Sequence, residues 1–131
     1  MDDRPNRLHL EAYFAADLPP TGLPSRFGIV TAHNPGNALA PARDNEDADA
    51  ELKRALVSAG LPHFRVTGGS RDRSHQEPGY GIIAASPEDI RPISRRFRQE
   101  SFFWVENGTV FVIITEAARW HRVAKWAERQ S

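Results

Sequence analysis

The stretch that decides the fold runs from Phe27 to Leu56 and reads FGIVTAHNPGNALAPARDNEDADAELKRAL. Its first residues are small or apolar on both alternating faces, which is typical of an interior strand covered on both sides. Its last part repeats apolar residues at helical spacing and stops at Gly60 and Pro62. Open α/β sheets bind ligands where strands end. The stretch therefore predicts a helix packed on a sheet and directs attention to the polar loop between them.

The periodicity outside this stretch predicts the remaining elements. Helices are predicted in residues 7–18, 44–60, 86–97 and 115–130, strands in 26–33, 63–69 and 80–85, and a hairpin in 100–115. The buried face of the last helix would carry Ala117, Trp120, Val123, Ala124 and Ala127. The predicted fold class is α+β, an α/β sandwich with a single mostly antiparallel sheet. Its middle follows the ferredoxin-like βαββαβ order, with an extra C-terminal strand and N- and C-terminal helices.

Two local signals predict where helices begin. In SPEDI, Ser86 is the expected N-cap, Pro87 suits the first helical position and Asp89 would complete a capping box. Asp44 or Asn45 is the expected cap of the preceding helix, because a short side-chain oxygen accepts from the free amides of a first turn.

The hairpin carries its own register. Asn107-Gly108 supplies the two positive φ angles of a type I′ turn. The resulting pairs are Trp104 with Phe111 and Phe103 with Val112. Such large rings on both faces make an apolar edge, for which we expect either a homodimer or other protein partner, or cover from a terminal helix.

Length and composition narrow the functional class. The chain has 131 residues, 17 of them basic and 17 acidic, and no cysteine. We expect one domain over residues 1–131, with 1–6 and 130–131 as disordered ends. The charge balance argues against nucleic-acid binding, and the lack of cysteine excludes disulfides and thiol nucleophiles. Without a signal peptide or an apolar run of roughly 18 residues, the expected location is cytoplasmic, with no membrane contact.

Several segments form a recognisable combination along the chain. They are FGIVTAHNPGN, then Asn45, a helix with Leu52 and Leu56 that ends at Gly60, then GG, EPGYGI and FRQESFFW. From about Tyr13 to about Val112 the chain resembles the bacterial family catalogued as domain of unknown function 3293. The most specific parts are the Thr-Ala-X-Asn-Pro segment and Glu77, and that family often has tryptophan where this chain has His33. The resemblance implies a compact intracellular α/β domain and no particular substrate.

Polar side chains at the end of the first predicted strand form the candidate site. The candidate ligand-binding residues are Thr31, Asn34, Asn45, Glu77 and Tyr80. The candidate catalytic residues are Glu77 and His33, because a carboxylate or an imidazole can act as a general base. In the alternative interpretation the asparagines only stabilise turns and a helix start, and Glu77 pairs with Arg65 or Arg71.

Other kinds of site have less support. The five histidines show no His-X-X-His spacing, so we expect no metal and no cofactor. Ser70, Ser74 and Ser101 lie in no Gly-X-Ser-X-Gly elbow, and no serine is paired with a histidine and an acid at a recognisable spacing. The segment 68–76 lacks the Gly-Lys-Ser/Thr ending of a phosphate loop and is expected to be a solvated polar loop.

Three arginines define one further surface. Arg91, Arg95 and Arg98 are spaced to share a helix face. They suit an acidic partner or phosphates, or else a solvated face neutralised by acids such as Glu88, Asp89 and Glu128.

Two functional hypotheses follow from these features. In the first, the chain is a binding module for a small polar or anionic ligand, or for a partner, with its polar site at the end of the first strand. In the second, it is a small hydrolase- or transferase-like enzyme that uses Glu77 or His33 as general base. The missing catalytic motifs favour the first hypothesis.

Overall fold

The computed structural model describes residues 4–131 and contains one seven-stranded sheet. The helices are α1 (Arg7–Leu10), α2 (Ala42–Ser58) and α3 (Arg91–Arg96). The strands are β1 (Tyr13–Ala16), β2 (Arg26–Thr31), β3 (His63–Gly69), β4 (Gln76–Ile83), β5 (Ser101–Glu106), β6 (Thr109–Ile114) and β7 (Trp120–Lys125). The strand order is β1-β3-β4-β2-β5-β6-β7, and every neighbouring pair is antiparallel. The predicted α+β class with an antiparallel sheet is therefore confirmed at this level.

The sheet has a different apolar core on each face. On the outer face, α2 and α3 cover a cluster that includes Leu52, Leu56 and Trp104. Gly28 of β2 permits this close packing, because a Cβ there would come within 2.6 Å of the Ile90 side chain. The inner face has no helix of comparable length, and its cluster is drawn mainly from the strands themselves.

The inner face is enclosed because the sheet curls until its two edges meet. Phe14 of β1 forms an isolated parallel bridge with Gln130, which follows β7. The backbone amide of Ser131 donates to the carbonyl of Phe14 at 2.8 Å. Trp126 stacks on Phe14 with ring centroids 5.4 Å apart and contacts Phe27 edge-on. The two edge strands are thus tied together through the C-terminal residues.

The hairpin prediction is confirmed in detail. Asn107 and Gly108 have φ values of 49° and 78°. The predicted pairs of Trp104 with Phe111 and Phe103 with Val112 both occur. β5 also pairs with β2, and β6 with β7, so both arms of the hairpin are interior strands of the sheet, and the homodimer or other protein partner stays a prediction.

The predicted N-terminal helix over residues 7–18 is wrong beyond its first turn. Only Arg7–Leu10 is helical, with Asn6 as its cap, and Tyr13–Ala16 is a strand. β1 pairs with β3 from Tyr13↔Gly69 to Ala16↔Val66. Those ladder bonds come from a strand fifty residues away in the sequence, which local helical spacing cannot reveal.

The predicted C-terminal helix over residues 115–130 is also wrong. Trp120–Lys125 is a strand paired with β6, and Trp126–Arg129 is a short 3-10 turn. Within the supposed buried face, Ala124 is buried while Trp120 is 39% exposed. The predicted ferredoxin-like arrangement of five strands with terminal helices is not confirmed, since β1 and β7 extend the sheet at its two edges.

One of the two helix-start predictions is confirmed and the other is wrong. Ser86 and Asp89 form the expected capping box, although the element it opens is the 3-10 turn Pro87–Asp89, followed by the short α3. α2 begins at Ala42 after Pro41, so neither Asp44 nor Asn45 is its cap. Asn45 lies in the first turn, where its backbone amide donates to the carbonyl of Pro41. Among the described residues, no helix has the length and apolar character needed to cross a bilayer.

The expected disorder of residues 1–6 and 130–131 stays a prediction, and residues 1–3 lie outside the described part of the chain.

Candidate functional site

A pocket of about 560 Å³ opens at one end of the inner face. α1 and the loop after β2 form one side of it, and the paired ends of β3 and β4 form the other. Its lining is more apolar than polar and includes Leu8, Ile29, Leu39 and Phe103. Leu8 and Leu39 are also strongly exposed, at 64% and 88%, so apolar side chains stand at the mouth as well as inside.

The strand pairing explains why a space exists there. β2 pairs with β4 as far as Thr31↔Gly79, but its pairing with β5 ends at Ile29↔Phe103. Beyond that pair the two strands no longer form a ladder, and the pocket occupies the gap. Gly79 of β4, on the other side of β2, also lines the pocket, and a Cβ at its position would overlap the carbonyl oxygen of Val30.

The polar end of the pocket contains a serine and a histidine in contact. His9 on α1 and Ser101 at the start of β5 join through Nδ1 and Oγ at 3.0 Å. The imidazole ring lies edge-on against Phe103, with centroids 5.6 Å apart. In the tautomer protonated at Nε2, Nδ1 accepts the hydroxyl proton of Ser101. The contact spans 92 residues of sequence, so only the tertiary fold creates it.

Electrostatics at this end keep the imidazole uncharged near neutral pH. Burial lowers the pKa of His9 below its ordinary value, and the positive charge of a protonated His75 acts in the same direction. The carboxylates of Glu77 and Glu100 oppose that shift without overcoming it. Glu77 itself lies 3.1 Å from Nε2 of His75, with 25% of its side chain exposed. A neutral imidazole beside an acid is an arrangement that can accept a proton.

Of the predicted site residues, Thr31, Asn34 and Glu77 line the pocket. Thr31 Oγ1 donates to the carbonyl of Pro78 at 2.8 Å and accepts the amide of His33 at 3.1 Å. Glu77 contacts neither Arg65 nor Arg71, which the alternative interpretation proposed, and pairs with His75. Ligand binding by these three residues stays a prediction.

Asn34 is largely committed to local structure. Its backbone amide donates to Oδ1 of Asn45 at 2.9 Å, and Nδ2 of Asn45 donates back to Oδ1 of Asn34 at 3.0 Å. The same Oδ1 accepts the amide of Ala40. Asn34 has φ 49° and ψ 61°, a left-handed conformation that asparagine tolerates better than most residues. These bonds fold the loop after β2 onto the first turn of α2.

Asn45 and Tyr80 lie away from the pocket, in or beside the outer core. Asn45 is 9% exposed and Tyr80 is 5% exposed. The Tyr80 hydroxyl accepts from Arg65 at 2.8 Å, and the same guanidinium forms two bonds with Asp49 of α2. Burial raises the pKa of Tyr80, and the nearby positive charge of Arg65 opposes that effect. This group ties β3 and β4 to α2.

His33 is held near the pocket by its backbone and does not line it. Its amide donates to Thr31 Oγ1, and its carbonyl accepts from Nε2 of Gln99 at 3.1 Å. Neither contact uses the imidazole. The structure therefore brings Glu77 to the pocket without His33, and brings His9 and Ser101 there in addition.

The rim near the β3–β4 loop carries two guanidinium groups around Tyr13. Arg129 lies 5.4 Å and Arg71 6.0 Å from the ring centroid. Arg129 donates to the carbonyls of Leu10 and Ala12, which fastens the segment after α1. Arg71 forms no ion pair with any residue between 4 and 131 and is exposed to solvent. The rim thus offers a positive charge to an incoming ligand.

The loop between β3 and β4 is ordered by one acid. Asp72 accepts from the amide and hydroxyl of Ser74 and from the hydroxyl of Ser70. These bonds lower the pKa of Asp72 to about 2. They also hold the loop in the conformation that presents Arg71 and His75 beside the pocket.

The arginine face predicted for α3 is used within the molecule. Nη1 of Arg91 donates to the carbonyls of Ile114, Thr115 and Ala117, and Arg95 pairs with Glu116 at 2.8 Å. Arg98 lies past the end of α3 with φ 57°, and its carbonyl accepts the amide of Gly36. Within residues 4–131, no three histidine, aspartate or glutamate side chains converge as a metal-binding group.

His9 and Ser101 are pocket residues that the sequence analysis left out of the candidate site, since Ser101 lies in no catalytic motif and His9 shows no metal-ligand spacing. His9 was placed on a predicted amphipathic helix, and Ser101 in a hairpin dominated by aromatic residues. The one available signal was the resemblance segment FRQESFFW, which contains Ser101. Nothing along the chain indicated its contact with His9.

Comparison with known proteins identifies a family but no individual relative. No curated protein and no solved structure matches the chain. The family described as Protein of unknown function (DUF3293) matches residues 30–102, which is more than half of the chain and runs from β2 to the start of β5. That range contains most of the pocket residues discussed above, among them Thr31, Asn34, Glu77 and Ser101, and leaves His9 outside it. The chain therefore belongs to the DUF3293 family of proteins of unknown function.

Proposed function

We propose that this chain binds a small amphipathic ligand in the inner-face pocket, with the polar end of the ligand toward His9, Ser101 and Glu77. The observation that carries the proposal is a space of about 560 Å³ with apolar walls and a cluster of hydrogen-bonding side chains at one end. Ligand pockets in proteins usually span about 300–1,000 Å³ and combine apolar walls with a few polar groups. The volume and the lining both agree with that description.

The charges around the pocket favour a ligand whose buried end is neutral. His9 is uncharged near neutral pH because its pKa is lowered by burial, and Ser101 is a hydroxyl. Glu77 already has His75 as a partner, which limits its pull on a cationic group. An anionic group would find its partner at the rim, where Arg71 is exposed. We propose that the ligand places a neutral hydrogen-bonding group inside the pocket and carries any negative charge at the mouth of the pocket.

The enzymatic hypothesis with His33 as general base has no supporting contact, because the imidazole of His33 does not line the pocket. Glu77 does line it, but its carboxylate is already paired with His75, which opposes its use as a free general base. The binding hypothesis is therefore the better supported of the two as originally framed.

A thermal-shift screen of metabolites, nucleotides and fatty acids tests the binding proposal. A ligand at one hundred times its dissociation constant adds about 2.7 kcal/mol to the free energy of unfolding. We expect a stabilising compound whose effect falls when Glu77 is replaced by Gln, which keeps the shape and removes the charge. Glu106→Gln is the matched control, since Glu106 is also a strand residue with 29% side-chain exposure and an ion pair, but lies outside the pocket.

Two outcomes would contradict the proposal. The screen also includes the dye 1-anilinonaphthalene-8-sulfonate, which binds apolar pockets. The first contradicting outcome is that neither the dye nor any of the compounds changes the melting temperature of the wild type. The second is a compound whose effect falls equally in Glu77→Gln and Glu106→Gln, since binding would then lie elsewhere.

A further inference from the structure

We infer that Ser101 is a nucleophile and His9 its general base, and that the substrate class is small esters with an apolar acyl group. This inference rests on the proposed ligand pocket and names the chemistry of its polar end. A serine hydroxyl within hydrogen-bond reach of an imidazole, inside a concave site, is the minimum arrangement for acyl transfer.

The contact has the geometry that proton transfer requires. Oγ of Ser101 and Nδ1 of His9 are 3.0 Å apart, within the range of about 2.6–3.2 Å expected for a nucleophile and its base. Both residues line the same pocket. Ser101 stands at the point where pairing between β2 and β5 has ended, and it lines the pocket with its hydroxyl against His9.

The base is in the protonation state that the reaction needs. A general base must be neutral before it accepts a proton, and burial lowers the pKa of His9. Once His9 is protonated, the negative charge of Glu77 favours the imidazolium, as its upward effect on the same pKa indicates. Glu77 makes no direct hydrogen bond to His9, so it acts by charge and is a positioning residue in this scheme.

The reaction balances without any further reactant than water. As Oγ of Ser101 bonds to the acyl carbon, its proton passes to Nδ1 of His9. The ester C–O bond breaks, and the alcohol leaves with that proton. Water then attacks the acyl-enzyme, gives a proton to His9 and releases the acid, while the proton on His9 returns to Oγ.

The pocket also limits the expected rate. The side-chain amide of Gln99, a lining residue, already donates to the carbonyls of His33 and Phe97. It is therefore occupied and does not act as a ready donor for the oxyanion that forms on the substrate. Since such donors contribute about 10²–10³ in rate to each of the two steps, we expect slow turnover.

Covalent labelling with an alkyl fluorophosphonate tests the inference on the wild-type chain. Oγ–P bond formation expels fluoride and requires the same proton transfer to His9. We expect a single adduct by intact mass, located at Ser101 by peptide mapping. Ser58, exposed at the end of α2, is the internal control. Base assistance predicts labelling about a hundredfold faster at Ser101 than at Ser58.

Two variants separate a base from a mere neighbour. His9→Gln should reduce labelling at Ser101 to the rate at Ser58, while His33→Gln should leave it unchanged because that ring lies outside the pocket. In the wild type, the labelling rate should reach half its maximum below pH of about 6.5, since His9 is easier to deprotonate than an ordinary histidine.

The outcomes distinguish this inference from the binding proposal. Labelling of Ser101 no faster than of Ser58 overturns the inference, and if the dye 1-anilinonaphthalene-8-sulfonate still binds and is displaced by pocket ligands, the binding proposal stands. In that case the contact of Ser101 with His9 only fastens α1 to the sheet. Labelling of Ser101 that survives His9→Gln at full rate also overturns it, because His9 would then not be the base.

Discussion

At the scale of single residues, the paired asparagines show how a site-like pattern can serve the backbone. Asn34 and Asn45 exchange hydrogen bonds that involve a backbone amide and both side chains. Because the pair lies at the end of β2, it resembles a ligand-binding cluster in the sequence. Its bonds instead hold the loop against α2 and so shape the pocket wall that Asn34 contributes.

Asn45→Ala should therefore lower the stability of the fold. The change leaves the amide of Asn34 without its acceptor in a site that is 9% exposed at Asn45. We expect a loss of about 1–3 kcal/mol in the free energy of unfolding, measured by urea denaturation. Glu46→Ala, at the next and exposed position of α2, should change it by less than about 0.5 kcal/mol. Equal effects of the two variants would contradict this role of Asn45.

The lowered pKa of His9 predicts that the stability of the fold depends on pH. Its pKa is lowered in the folded state, so the unfolded chain binds more protons as the pH falls through the ordinary histidine value of about 6.5. Folding stability should thus decrease from pH 7 toward pH 5, and His9→Asn should flatten that decrease. Urea midpoints at pH 5, 6 and 7 measure it, with His33→Asn as control. A slope unchanged by His9→Asn would exclude His9 as its source.

At the scale of elements, the sequence-based predictions are confirmed where a few adjacent residues determine the local structure. The Asn107-Gly108 turn set the hairpin register, and Ser86 with Asp89 set a capping box. The helices predicted near the two ends of the chain are wrong, because edge strands form there instead. Both strands are short: Tyr13–Ala16 pairs with β3, some fifty residues further along the chain, whereas Trp120–Lys125 pairs with the preceding strand β6 and carries apolar residues at a spacing that also suits a helix. Local spacing cannot report a partner as distant as β3.

α3 illustrates how a charged face becomes structural. Arg91 has only 11% of its side chain exposed and donates to three carbonyls at the turn before β7. We expect Arg91→Lys to lower the free energy of unfolding by about 1.5–3 kcal/mol, since an ammonium cannot reproduce the guanidinium fork. Arg95→Lys, at an exposed pair, should cost less than about 1 kcal/mol. Urea denaturation of both variants gives the comparison, and similar losses would show that the carbonyl contacts of Arg91 contribute little.

At the scale of the whole molecule, closure of the curled sheet depends on one aromatic side chain. Trp126 follows the edge strand β7, is 6% exposed, and packs on Phe14 of the opposite edge strand β1 and on Phe27 of the central strand β2. Trp126→Ala should lower the free energy of unfolding by about 3–5 kcal/mol. The matched control is Trp120→Ala, because Trp120 is 39% exposed and contacts only Phe111 among the aromatic rings of residues 4–131. Guanidinium denaturation should rank the two clearly, and the reverse ranking would mean that closure is not driven by Trp126.

The sequence by itself determined the elements whose causes are local: β2 and its polar loop, α2 up to Gly60, the capping box and the aromatic hairpin. It also located Thr31, Asn34 and Glu77 at what became the pocket. Only the tertiary structure decided the edge strands, the closure through Trp126 and the meeting of His9 with Ser101. The physical reason is that the ladder bonds of β1, the bridge between Phe14 and Gln130 and a contact across 92 residues depend on partners that no window of sequence contains.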